Sequence, residues 1–175
     1  QTFEYWRLKV SNESDRPRRL ALFSYCEWTN QWHTVQDQVN LQYSLFIVKG
    51  GLTADGLVRI AIHDNLTPAP GADAGRADDI GMHAWLALVG APLAGYDTSR
   101  EAFLGPYRSY HNPLAVERGQ CSNSDAYGDN ACGSVQAELV LQPGESRELL
   151  VMLGIGDAHT LGRRAVAEYG SPARA

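Results

Sequence analysis

WTNQWHTVQDQVNLQYS, residues 28–44, places three aromatic rings, Trp28, Trp32 and Tyr43, among six side-chain amides, those of Asn30, Gln31, Gln36, Gln38, Asn40 and Gln42. Charge is nearly absent from the stretch. Flat rings stack on the apolar face of a pyranose and neutral amides hydrogen-bond its hydroxyl groups. The composition therefore fits a carbohydrate site, where apolar surface supplies affinity and a few polar groups fix orientation. A second segment, GYDTSREAFLGPYRSYHNP (95–113), adds the guanidinium groups of Arg100 and Arg108 and further rings. A structural account competes for the same residues: Trp28 and Trp32 as rings that cover the end of a β-sandwich, because aromatic side chains dominate cores generally.

Other chemistries find less support. Nucleophilic hydrolysis needs a Ser or Cys within reach of a His and a carboxylate, and no G-x-S-x-G elbow occurs. His33, His63, His83, His111 and His159 are scattered without the H-x-x-x-H or H-x-H spacing of a local metal site, so no metal is expected. Asp78 and Asp79 are adjacent and on an extended chain point to opposite faces, which reads as solvated surface charge. GGLTADG lacks the Gly-Lys-Ser/Thr ending of a phosphate loop and joins two strands. The three cysteines, Cys26, Cys121 and Cys132, are too few and too irregular for a disulfide framework or a zinc pattern. Cys26 reads as a small buried hydrophobe, and a Cys121–Cys132 bridge is expected only of an exported protein.

The elements that must position these residues are mostly strands. FEYWRLKV (3–10) alternates, with Trp6, Leu8 and Val10 on one face and Tyr5, Arg7 and Lys9 on the other, the pattern of a half-buried strand. After the polar turn SNESDRP, the apolar run RRLALFSYCEW (18–28) reads as its antiparallel neighbour. Further strands are expected over 43–49, 57–63 and 83–90. SVQAELVLQ (134–142) and ESRELLVMLG (145–154) flank Pro143-Gly144 and read as a hairpin. Only HTLGRRAVAEYG (159–170) carries helical spacing, with Gly170 as its stop, and reads as a helix leaving the sheet domain. Short strands punctuated by Gly, Pro and Asp indicate a mainly β, antiparallel sandwich.

With 175 residues, one substantial core is the natural prior. Hydrophobic residues at 44%, charged residues at 20% and a net charge of -5 exclude a polybasic nucleic-acid binder. No apolar run is long enough to cross a bilayer, so no membrane partner is expected.

The strings LALFSYCEWTNQWHTVQDQVNLQYSLFIVKG and GYDTSREAFLGPYRSYHNPLAVERGQCSNSDAYGDNACGSVQAELVLQPGESRELLVMLG closely resemble the N-terminal β-sandwich domain of the cellobiose and cellodextrin phosphorylases, glycoside hydrolase family 94. QDQVNLQYSLF is more similar to the cellodextrin type, because the cellobiose type carries Arg where this chain has Tyr43. The resemblance implies a supersandwich-like domain over residues 1–157, incomplete at its N-terminus. Residues 158–175 would begin a helical linker towards an (α/α)6 catalytic barrel belonging to the parent chain. It implies further that catalytic residues are absent from this chain and that inorganic phosphate is a co-substrate, with no cofactor. A β-linked glucose oligosaccharide is the implied partner, the parent a homodimer, and the location cytoplasmic, where a sugar phosphate enters metabolism and thiols stay reduced. The family's acceptor-contacting Gln falls on Gln42, and the next position on Tyr43. With Trp32, these are the expected substrate-binding residues, followed by Arg100 and Arg108, for which surface or interface ion pairing is the competing role. The alternative to a phosphorylase domain is a free-standing carbohydrate-binding sandwich.

Overall fold

The computed structural model describes residues 3–28, 48–63, 81–127 and 131–171. Among the described residues the strands are β1 (Phe3–Ser11), β2 (Arg18–Phe23), β3 (Val48–Leu52), β4 (Val58–His63), β5 (Gly81–Val89), β6 (Leu93–Ser99), β7 (Ala131–Leu141) and β8 (Ser146–Ile155). They form a five-stranded sheet ordered β1-β8-β5-β4-β3 and a three-stranded sheet ordered β2-β7-β6, antiparallel throughout. The antiparallel sandwich expected from the sequence is therefore observed.

Alternation along the strands builds the core between the sheets. Val58, Leu86 and Val151 of the larger sheet meet Val135 of the smaller one, while Leu139, Leu141 and Leu149 close the end of the core nearest the turn at 143–144. Fully burying one such side chain contributes about 1.5–3 kcal/mol. The outer face of the larger sheet is also covered. A π-helical turn, Ala158–Gly162, and the helix α3, Arg163–Tyr169, lay Ala158 and Ala165 over Trp85, Ala87, Leu150 and Met152. On the outside of the smaller sheet, α1 (Arg100–Leu104) and α2 (Leu114–Arg118) contribute Phe103, Leu104 and Ala115 to a cluster with Cys121 and Cys132.

Two pairings differ from the sequence-based expectation. β1 is not the neighbour of β2: it pairs with β8, from Phe3 opposite Gly154 to Ser11 opposite Ser146, while β2 pairs with β7 in the other sheet. β7 and β8 likewise belong to different sheets, although the turn between them is tight, with Gly144 at φ 76° and Glu145 N–H donating to Gln142 O at 3.0 Å. Both strands carry an apolar inner face, so they stack across the core and take other strands as ladder partners. A tight turn fixes local chain reversal and leaves open which sheet each arm joins.

Two of the crossings between sheets, β1–β2 and β7–β8, meet at Asn12, which is 4% exposed. Its N–H donates to Glu145 O and its carbonyl accepts from Gly144 N–H, at 2.9 and 2.8 Å. Its amide Nδ2 donates to Leu141 O and Arg16 O, at 2.9 and 2.8 Å. One side chain thus stitches the β1–β2 corner to the β7–β8 corner.

The two flanks of the sandwich are unlike. On the β3–β6 flank the stretch Ser122–Tyr127 bridges the sheets: Gly50 N–H donates to Ala126 O at 2.8 Å, and Thr98 N–H donates to Ser124 O at 2.9 Å. Asp97, fully buried, accepts from Ser122 N–H, Ser124 N–H and Ser124 Oγ. Gly50 is required there because a Cβ would lie 2.5 Å from Thr98 Cβ. The β1–β2 flank is open. Trp6 and Leu8 face inward as their alternation predicts, yet they stay 38% and 36% exposed and line a groove of about 200 Å³ with Leu22, Leu88 and Val151. The strand expected to be half-buried is therefore mostly exposed, because nothing among the described residues covers this flank.

β6, α1 and α2 were not expected from the sequence. β6 carries Gly95, Asp97, Thr98 and Ser99, which read as loop chemistry, and its polar groups are satisfied by the 122–126 bridge. The two helices are five residues each, too short for a periodicity.

Replacing Asn12 by Ala strands buried carbonyl groups of both corners, and we expect a loss of about 2–3 kcal/mol, read as a lower urea midpoint at unchanged m-value. The thiols give a second test. Burial pushes Cys26 and Cys121 up to about 12, and Cys132, where Asp97 adds to burial, is raised as well. All three are free and protonated at pH 8, so native protein should resist a disulfide thiol reagent and react only in denaturant.

Candidate functional site

Beyond β2 the chain stays extended through Tyr25, Cys26, Glu27 and Trp28. Cys26 pairs with Gly133 in an isolated bridge, its N–H donating to Gly133 O at 2.9 Å and its carbonyl accepting from Gly133 N–H at 2.8 Å. Alternation then turns Cys26 and Trp28 inward and Tyr25 and Glu27 the other way. The Trp28 ring packs on Val48, Ile60 and Ala84 and lies so close over Gly133 that no side chain fits there. Trp28 is thus a core ring, as the structural account of the opening stretch holds.

Glu27 is the meeting point of the outward face. Its Oε1 accepts from Tyr25 Oη, from Arg100 Nε at 3.0 Å and from Tyr110 Oη at 3.0 Å. Tyr25 stacks on Phe103 with centroids 4.8 Å apart and meets Tyr110 edge-on at 5.8 Å. Arg100 lies over the Tyr110 ring at 5.7 Å. Burial, followed by the bond to Glu27, raises the Tyr25 phenol well above its ordinary value, so it remains a donor at neutral pH.

Arg100 opens α1, whose N-cap Ser99 accepts from Ala102 N–H. Arg108 sits in the following turn, which Gly105 enters at φ 88° and where Tyr107 holds φ 60° with its ring fully exposed. Arg108 pairs with Glu117 of α2 and donates to Asn112 O at 3.4 Å. The Asn112 carboxamide oxygen in turn accepts from Ser109 N–H and Oγ, both at 3.1 Å. The two arginines expected to bind substrate therefore share one excursion from the smaller sheet, each with a carboxylate partner from this chain. The Arg100–Glu27 pair is 37% and 34% exposed, so as an ion pair it contributes only about 0–1 kcal/mol.

Trp32, Gln42 and Tyr43 lie outside the described residues. Sequence reasoning missed Glu27, Tyr25 and Tyr110 as one cluster. The available signal was Tyr25 and Glu27, two apart on an extended chain and so on one side, with Glu27 a lone carboxylate in an aromatic run. Among the described residues no group of three His, Cys, Asp or Glu side chains could hold a metal ion. No described helix is long and apolar enough to cross a membrane.

Comparison with known proteins places this geometry in a family. The family model described as "Glycosyl hydrolase 94, supersandwich domain" matches residues 1–172. The N,N'-diacetylchitobiose phosphorylase of Vibrio furnissii is 34% identical over 95% of this chain and 19% of the relative. That of Vibrio proteolyticus is 37% identical over 87% of this chain and 17% of the relative. Solabiose phosphorylase of Paenibacillus borealis is 26% identical over 98% of this chain and 20% of the relative. The chain thus spans about a fifth of the length of these relatives. With both the sandwich and a match over nearly its whole length in agreement, the chain belongs to the supersandwich domain family of glycosyl hydrolase 94.

Proposed function

We propose that this chain is the non-catalytic sandwich of an inverting phosphorylase acting on β-linked di- and oligosaccharides, and that it shapes the acceptor side of the cleft and a homodimer interface. The observation that carries the reading is the family match over residues 1–172, with relatives that are phosphorylases and about five times as long. In this reading phosphate attacks the anomeric carbon from the face opposite the leaving sugar. A protonated carboxyl group of the helical barrel assists departure, so no base is needed to activate the nucleophile. That machinery belongs to the rest of the parent chain, reached through a linker that begins near residue 158, and the parent works in the cytoplasm.

The described chemistry is consistent with a supporting role. The thiols of Cys121 and Cys132 are buried and that of Cys26 is partly so, and Asp97 is fully occupied by the 122–124 backbone and Ser124. Gln42 and Tyr43 are the proposed acceptor contacts. A ring at 43 where the cellobiose type has a guanidinium favours stacking on a longer glucan over bidentate bonding to one glucose, which is the basis for a cellodextrin-type substrate. The relatives named for chitobiose and solabiose make N-acetylglucosamine and other acceptors the competing specificity.

The open β1–β2 groove is assigned in this reading to other strands of the parent polypeptide. Leu8→Glu in the full-length protein should then cost about 2 kcal/mol or more in an unfolding titration, whereas a solvent-facing groove would leave it within about 0.5 kcal/mol. Activity is tested by incubating full-length protein with phosphate and, in turn, cellobiose, cellotriose, laminaribiose and diacetylchitobiose. Phosphate-dependent release of a sugar 1-phosphate from one of them supports the reading, and free sugars released independently of phosphate overturn it. In the same assay Tyr43→Ala should depress turnover of cellotriose more than use of a glucose acceptor. An equal loss removes the stacking argument.

A further inference from the structure

The turn that follows α1 carries a ring that packs on nothing. Tyr107 is fully exposed, makes no ring, cation or hydrogen-bond contact among the described residues, and holds φ 60°, a left-handed conformation that L side chains seldom adopt. Backbone outliers of this kind persist only where the surrounding structure imposes them, and they cluster at binding sites. We propose that the 105–112 turn is a saccharide-binding site, in which the Tyr107 ring stacks on a neutral pyranose unit and the Asn112 amide nitrogen bonds its hydroxyl groups.

The turn is built to aim the ring. At its start Gly105 lies so close under Arg108 and Leu114 that a Cβ would sit 3.0 Å from each. Arg108 N–H donates to Gly105 O at 3.3 Å, and Asn112 N–H donates to Ser109 O at 3.1 Å. The Asn112 carboxamide oxygen fastens Ser109 in return, and Tyr110 is held at the foot of the turn by Glu27. A site ordered before its ligand arrives loses little freedom on binding.

What the turn leaves free selects the ligand. Arg100 is paired with Glu27 and Arg108 with Glu117, so the turn offers an anion no unpaired guanidinium. Arg100 covers one face of the Tyr110 ring, whereas Tyr107 keeps its faces open. The Asn112 oxygen is engaged while its Nδ2 has no partner among the described residues. A protein partner would favour an anchor ringed by further apolar contacts, but the exposed neighbours Ser109, His111 and Asn112 are polar. A pyranose presents a small apolar C–H face edged by hydroxyl groups, which matches one ring beside one amide donor. The inference does not depend on the phosphorylase reading, and no phosphate enters its test.

The test is fluorine NMR of the full-length protein carrying fluorotyrosine, with the Tyr107 signal identified by its loss in Tyr107→Phe. Titration with cellohexaose or chitohexaose should move that signal to a plateau. A signal that neither sugar moves overturns the proposal. Asn112→Asp keeps the oxygen that holds Ser109 and removes the amide donor, so the titration midpoint should rise about fivefold, as loss of one hydrogen bond implies. An unchanged midpoint overturns the proposed geometry. Tyr107→Gly suits the left-handed backbone and should leave the melting temperature unchanged or higher. A marked fall would give the ring a structural role, and a smaller sedimenting species would place it between copies of the chain; either result overturns the site.

Discussion

The whole sandwich depends on one buried carboxamide at the place where the chain twice changes sheets. β1 and β2 lie in different sheets, as do β7 and β8, and both reversals occur at the same end of the molecule. A corner of that kind leaves backbone groups that neither ladder can use, and buried unpaired carbonyl groups are costly. Asn12 answers with its backbone and its amide together, taking up groups from Arg16, Leu141, Gly144 and Glu145. Once the corners are fixed, β7 and β8 present apolar faces to each other; β2 and β6 flank β7, β1 and β5 flank β8, and β4 and β3 extend the larger sheet beyond β5.

From that frame follows a division of labour between the flanks. The 122–127 bridge closes one flank with backbone hydrogen bonds and a buried carboxylate, and this gives β6 a fixed end from which α1 and the 105–113 turn project. Arg100 and Arg108 are delivered by that projection, and each meets an acidic partner where it lands. The opposite flank keeps Trp6 and Leu8 partly in solvent, along the edge strands β1 and β2, whose outer edges have no ladder partner among the described residues. Free strand edges beside apolar side chains are surfaces that proteins generally cover.

Much of this was legible in the sequence, for identifiable reasons. Strand faces were read correctly where apolar and polar residues alternate, as in β1, whose Trp6, Leu8 and Val10 do share the inner face. Pairing was not legible, because alternation fixes a face and says nothing about neighbours, and because Pro143-Gly144 specifies a reversal without specifying a ladder. β6 was hidden by its own chemistry: Asp97 and Thr98 look like loop residues until Ser122, Ser124 and Ala126 supply their partners from some 25 residues away. At the site, the composition of 95–113 picked out Arg100 and Arg108, but their carboxylate partners come from Glu27 and Glu117, which no local pattern connects to them.

The pairing of β1 with β8 also bears on how the molecule is made. Phe3 lies opposite Gly154, 151 residues further on, so β1 gains its ladder only after β8 has been synthesised. At ribosomal speed that is a wait on the order of ten seconds, during which an amphipathic ribbon with a tryptophan on its apolar face lacks its β8 partner. During synthesis β1 is therefore a segment that holdase chaperones can bind.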